Sequence, residues 1–169
     1  MQLNDSRDIK ASPDVVWAAI LNPEVLRECV PGCESLTGSV EDGFEAVVAQ
    51  KVGPVSARFT GIVKLSDIEP GRAVTISGEG KGGPAGYAKG GAKVTLEPIE
   101  GGTRLTYAVE ANVGGKIAQL GSRIIDSFAK KLADAFFENF QQAVEGPAED
   151  EEAPVEGAKK GWFKRLIGA

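Results

Sequence analysis

The chain has 169 residues, of which 42% are hydrophobic and 25% charged, with a net charge of −5. That length gives room for one domain with a sizeable core plus a tail. The negative balance offers no basic face to release counterions from nucleic acid, and the absence of histidine removes the commonest general base and metal ligand near neutral pH.

Met1 leads into polar residues, with neither a basic n-region nor an apolar h-region, and no apolar run approaches the roughly 20 residues of a membrane span. A cytoplasmic protein is therefore expected. LNDSRDIKA alternates weakly and predicts a first strand. SPDVVWAAI then opens a short helix, with Ser12 as N-cap, Pro13 in the first turn and Asp14 at the positive end. NPEVLREC repeats the pattern, with Asn22 as cap and Pro23 at the first helical position, and PGC ends it. Cys29 and Cys33 flank that Pro-Gly turn. With no second cysteine pair and no histidine, a zinc site is short of ligands; small buried thiols in a reduced compartment are expected, with redox or metal roles as the alternative.

From Glu34 to Asn112 the pattern has period two, broken by EDG, VGP, EPGR, KGGPAG and EGG. It predicts strands at 34–40, 44–52, 57–69, 72–80, 87–99 and 102–112, antiparallel through their short turns. After Gly114 and Gly115 the spacing predicts one long helix over 116–144. Its apolar stripe runs through Ile117, Leu120, Ile124, Phe128, Leu132, Phe136 and Phe140, widened by Ile125, Phe137 and Val144. An antiparallel sheet with one apolar face buries it by wrapping such a helix. The predicted fold is thus α+β over residues 1–144: a helix-grip, with a seven-stranded antiparallel sheet around a long C-terminal helix and two short helices after the first strand.

Alternation places Leu105, Tyr107, Val109 and Ala111 on the inward face of the last strand, and Ala88, Gly90, Ala92, Val94 and Leu96 on that of the preceding one. Ala57, Phe59, Gly61, Val63 and Leu65, then Val74, Ile76, Gly78 and Gly80, face the same way. Small residues gather toward one end of these strands and branched ones toward the other, the pattern of an apolar cavity; close helix–sheet packing is the alternative. The expected lining is Phe44, Phe59, Val63, Ala88, Gly90, Ala92 and Tyr107 from the sheet, with Ile117, Leu120, Ile124 and Phe128 from the helix. The segment GEGKGGPAGYAKGGA reads as a mobile rim over an entrance, or else a flexible hairpin; it lacks the spacing of a phosphate loop. Among inward positions Tyr107, with Gln50, is the clear polar group, and a lone buried tyrosine is expected as a packed ring with a satisfied hydroxyl. Arg123 and Asp126, three apart on the long helix, read as a surface or rim pair. No catalytic constellation and no metal site emerges.

ALNPEVLRECVPGCESL, KVGPVSARFTG, GGTRLTY and VGGKIAQLGSRIID…FF resemble the G-subunit family of carbon monoxide dehydrogenase, within the START-like or Bet v 1-like helix-grip superfamily (SRPBCC). The resemblance covers residues 1 to about 142. It implies a cytoplasmic accessory protein of a molybdenum CO dehydrogenase or related hydroxylase, linked to membrane attachment and respiration, and a deep apolar cavity. It carries over no catalytic residues.

Residues 145–158 form an acidic linker with Glu145, Glu149, Asp150, Glu151, Glu152 and Glu156, expected to be disordered and extended by self-repulsion. Residues 159–169 end in KKGWFKRLIGA. As a helix this tail puts Trp162, Phe163, Leu166 and Ile167 within an arc of about 140°, with Lys164 and Arg165 opposite and Lys160 nearby. Such a segment suits weak, reversible attachment to an anionic membrane surface; a docking peptide or a disordered end are the alternatives. A tethered cavity beside a redox enzyme reads as a non-enzymatic carrier of a respiratory isoprenoid quinone, menaquinone or ubiquinone, with no covalent cofactor. It would be peripheral on the inner face of the cell membrane. An assembly or maturation factor, or an enzyme of the cyclase or hydrolase kind, are the other readings.

Overall fold

The computed structural model describes residues 1–152, with side chains through Glu145. In chain order it contains β1 (Gln2–Ile9), α1 (Pro13–Ile20), α2 (Pro23–Cys29), β2 (Cys33–Ser39), β3 (Gly43–Val52), β4 (Val55–Glu69), β5 (Ala73–Lys81), β6 (Tyr87–Ile99), β7 (Gly102–Gly114) and α3 (Ser122–Glu152). The strands form one antiparallel sheet in the order β1-β7-β6-β5-β4-β3-β2. This is the helix-grip that the period switches predict. The short helices begin where their caps dictate. The Ser12 hydroxyl accepts from the Val15 N–H at 3.4 Å, and the Asn22 side-chain oxygen from the Glu24 N–H at 2.8 Å.

The predicted long helix differs at both ends. Lys116–Leu120 is a 3-10 turn, and Gly121, at φ +95°, ends it before α3 begins at Ser122. A backbone in that left-handed region cannot continue a right-handed helix, so Ile117 and Leu120 sit on the turn and not on α3. At the other end α3 runs on to Glu152, past the expected stop at 144. The rest of the acidic linker and the whole tail at 159–169, with Lys160, Trp162, Phe163, Lys164, Arg165, Leu166 and Ile167, lie outside the described residues.

The main core gathers at one end of the grip. Ile9, Val16, Ala19, Val25, Cys29, Val74, Leu96, Leu105 and Phe140 are buried there, with α1 and α2 laid against the C-terminal half of α3. Polar ties fix α3 to β1: Arg7 pairs with Asp134 and sits 5.3 Å from the Phe137 ring centre. Glu145 accepts from the Lys10 N–H at 2.8 Å. A second, small cluster of Val52, Ala85 and Ile117 joins the β3–β4 turn, the Gly83–Ala85 turn and the Lys116–Leu120 turn at the opposite end. Cys29 and Cys33 are both free thiols, Cys29 buried and Cys33 partly so.

Candidate ligand-binding site

Between the two clusters the concave face is apolar but not fully covered. On β7, Leu105 and Tyr107 are buried, whereas Val109, Ala111 and Val113 are partly exposed. On β6 the change falls between Val94 and Ala92, and on β5 between Val74 and Ile76. Pairing aligns these steps: Val94 faces Tyr107, Ala92 faces both Val109 and Ile76, and Gly90 faces Ala111. The boundary therefore runs straight across three strands. On β4 the inward row Ala57, Phe59, Gly61, Val63 and Leu65 is partly exposed throughout. The helix repeats the step, with Phe137, Phe140, Ala143 and Val144 buried but Phe128, Leu132 and Phe136 only partly so. From Tyr107 to Val113 the lining is about 20 Å long, at ~3.3 Å per strand residue. Inward-facing rings that stay partly accessible are surface an apolar guest can cover.

Of the expected lining, Phe59, Val63, Ala88, Ala92 and Phe128 lie on this partly exposed stretch. Phe44 is buried opposite Val63, and Ile117 is buried in the small cluster. Leu120 and Ile124 lie over the β3–β4 turn, both within 4 Å of where a Cβ on Gly53 would stand. Ile124 is 40% exposed there, at the rim. Gly90 is small for a different reason than space for a guest. A Cβ on it would stand 2.1 Å from the Glu110 carbonyl oxygen, so the β7 backbone fills the position. Gly61, Gly78 and Gly80 are the roomier sites, where a Cβ meets nothing closer than 3.5 Å.

The glycine-rich segment is built into the sheet. Most of it belongs to β5 and β6, Ala85 is buried, and a Cβ on Gly86 would stand 2.1 Å from the Gly114 carbonyl. Its glycines permit backbone to meet backbone, which the sequence alone cannot separate from looseness. Arg123 and Asp126 are both exposed, and no ion pair joins them among the described residues. Tyr107 is a packed ring as expected, stacked on Phe137 with centroids 4.9 Å apart. Its hydroxyl, however, has no hydrogen-bond partner among the described residues.

Sequence reasoning missed one feature. A solvent-open cleft of about 530 Å³ is lined by Pro31, Gly32, Ala49, Gln50, Lys51, Ser56, Ala57 and Arg58. The Ala49 N–H donates to the Gly32 carbonyl at 2.9 Å and the Gln50 amide to the Pro31 carbonyl at 2.6 Å, which holds the PGC loop against β3. Gln50 and Ala57, paired across β3 and β4, belong to the inward rows, so the cleft reaches the concave face from the side. The available signal was Gln50, a polar residue on an otherwise apolar row.

No protein with a curated description matches the chain. A conserved protein from Geobacillus kaustophilus is 31% identical and superposes with a TM-score of 0.80, over 89% of this chain and 97% of that one. A protein from Rhizobium leguminosarum, at 20% identity, TM-score 0.67 and coverage of 86% and 94%, shares the fold. So does one from Thermus thermophilus, at 14% identity, TM-score 0.64 and coverage of 86% and 98%. The family model for the carbon monoxide dehydrogenase G subunit (CoxG) matches residues 6–145. With nearly the whole described domain inside that match, the chain belongs to the CoxG family of carbon monoxide dehydrogenase proteins.

Proposed function

We propose that the protein is a non-enzymatic carrier of a lipophilic ligand, a respiratory isoprenoid quinone, serving a molybdenum CO dehydrogenase or related hydroxylase at the inner face of the cell membrane. The observation that carries this reading is the aligned step in burial across β5, β6 and β7, matched on α3, which leaves an apolar lining between two closed ends. A domain of this size selected only for stability would close that face with larger side chains. Family membership supports the dehydrogenase as partner. The basic, aromatic tail at 159–169 supports a membrane surface as the place of loading. Among the described residues no helix is long and apolar enough to cross a membrane, so attachment would rest on that tail or on a partner.

Native mass spectrometry of the purified protein, followed by organic extraction, tests the reading. A bound isoprenoid quinone is the expected result. A protein that carries no lipid, and takes none up from quinone-containing vesicles, would replace the carrier with a maturation factor for the dehydrogenase.

A further inference from the structure

Tyr107 occupies the point where the closed core gives way to the partly exposed lining. Leu105 before it is buried and Val109 after it is not. Across β6 its partner is Val94, also buried, and its ring stacks on Phe137 of α3 at an interplanar angle of 18°. Tyrosine here is 4% exposed, yet its hydroxyl finds no partner among the described residues. Buried hydroxyls normally have one. Polar groups near Tyr107 are engaged elsewhere: Arg7 pairs with Asp134, Asp5 (the partner of Tyr107 on β1) accepts from the Ser6 N–H at 2.8 Å, and Thr103 donates to the Ala11 carbonyl at 2.7 Å. The side chains of Leu105, Val94 and Phe137 themselves offer only hydrocarbon. The partly exposed lining begins directly beside Tyr107, at Val109 and Ala92.

Resting on the carrier reading, we propose that Tyr107 seats the polar head of the ligand. Its hydroxyl donates a hydrogen bond to a carbonyl oxygen of an amphiphile that enters head first. The apolar chain then lies along Val109, Ala92, Phe59 and Phe128 toward the cluster of Val52, Ala85 and Ile117. Tyr107 on this account selects for a carbonyl-bearing head over a plain hydrocarbon. A group whose one polar partner is removed is discriminated against far more than one that differs only in apolar bulk.

The test compares the full-length protein with Tyr107→Phe, which keeps the ring and removes the hydroxyl. Two probes are used: a short-chain menaquinone, and the hydrocarbon of the same ring and chain without the two oxygens. Tyr107→Phe should unfold at the same temperature or higher, because an unpaired buried hydroxyl is gone. Its affinity for the menaquinone should fall roughly tenfold, as one hydrogen bond allows, with the hydrocarbon's affinity unchanged. The infrared carbonyl band of bound menaquinone should be shifted in the wild type and return toward its free position in the variant, which altered packing would not do. Equal menaquinone binding and an unmoved carbonyl band overturn the role of Tyr107 and leave the carrier reading standing. Equal losses for both probes mean that the ring matters and the hydroxyl does not, which also overturns the proposal. A wild type that binds neither probe removes the carrier reading and this proposal together.

Discussion

Gly90 and Gly78 face each other across β5 and β6, and they are small for opposite reasons. A Cβ at Gly90 would press into the β7 backbone at the Glu110 carbonyl, whereas one at Gly78 meets only ordinary contacts at 3.5 Å. Gly90→Ala should therefore destabilise the fold by about 1–3 kcal/mol or more, as overpacking against a backbone that cannot yield does. Gly78→Ala should cost less than about 1 kcal/mol. Urea unfolding of the two variants checks both, and equal costs would mean that the two strands pack alike. Composition shows that both positions are tiny. It cannot show whether a void or a neighbouring carbonyl made them so, and that is why Gly90 passes for lining in the sequence. Cys29 offers a second check at this scale. Desolvation, with a smaller push from Glu28, raises its thiol from 9.0 to about 12. The raised value keeps the thiol protonated at neutral pH. Its burial thus favours the fold fully below pH 9.0 and loses that effect as the pH rises toward 12. Iodoacetamide at neutral pH should label the partly exposed Cys33 in the native protein, and Cys29 only after unfolding. Rapid native labelling of Cys29 would show that α2 opens readily.

Among the elements, strands were legible because turn chemistry brackets each of them, and the alternation within them named the inward face. The burial step along β5, β6 and β7 follows the sequence's own grading from branched to tiny residues. The long helix was legible as a stripe and not as a boundary. Ile117, Leu120 and Ile124 keep three- and four-residue steps through a 3-10 turn as well as through a helix, so periodicity ran across Gly121 without registering the break. A Cβ at Gly121 would touch nothing within 4 Å, so the cost of adding one lies in the backbone alone, at φ +95°. Gly121→Ala should cost about 1–3 kcal/mol as strain in the left-handed region, measured by the same unfolding. No loss would mean that the turn and α3 fuse into one helix in the variant. The cleft beside the PGC loop was not legible, because it depends on Gln50 and Ala49 meeting Pro31 and Gly32, residues far apart in the chain.

For the whole molecule, a grip closed at one end by a core and at the other by a small cluster encloses an apolar stretch suited to a chain that water rejects. A long isoprenoid tail is kept out of water by about 0.8 kcal/mol per CH₂, so a quinone cannot cross to a soluble dehydrogenase at a useful rate without cover. If the protein supplies that cover, mature, fully cofactor-loaded dehydrogenase should reduce quinone in membranes slowly alone and faster when the full-length protein is added. A form ending before residue 159 should deliver whatever quinone it already holds, yet reload poorly, because the tail is what brings the opening to the bilayer. Raising salt should slow reloading without stopping it, since screening weakens the basic contribution and leaves the apolar one. A maturation factor behaves otherwise: it is needed while the dehydrogenase is assembled and dispensable afterwards. Equal rates of quinone reduction with and without the protein, using mature dehydrogenase, would therefore transfer its role from electron delivery to assembly. A tailless form that reloads as fast as the full chain would leave delivery intact and move the membrane contact onto the domain itself, with the open cleft at Pro31, Gln50 and Arg58 as the surface to mutate next.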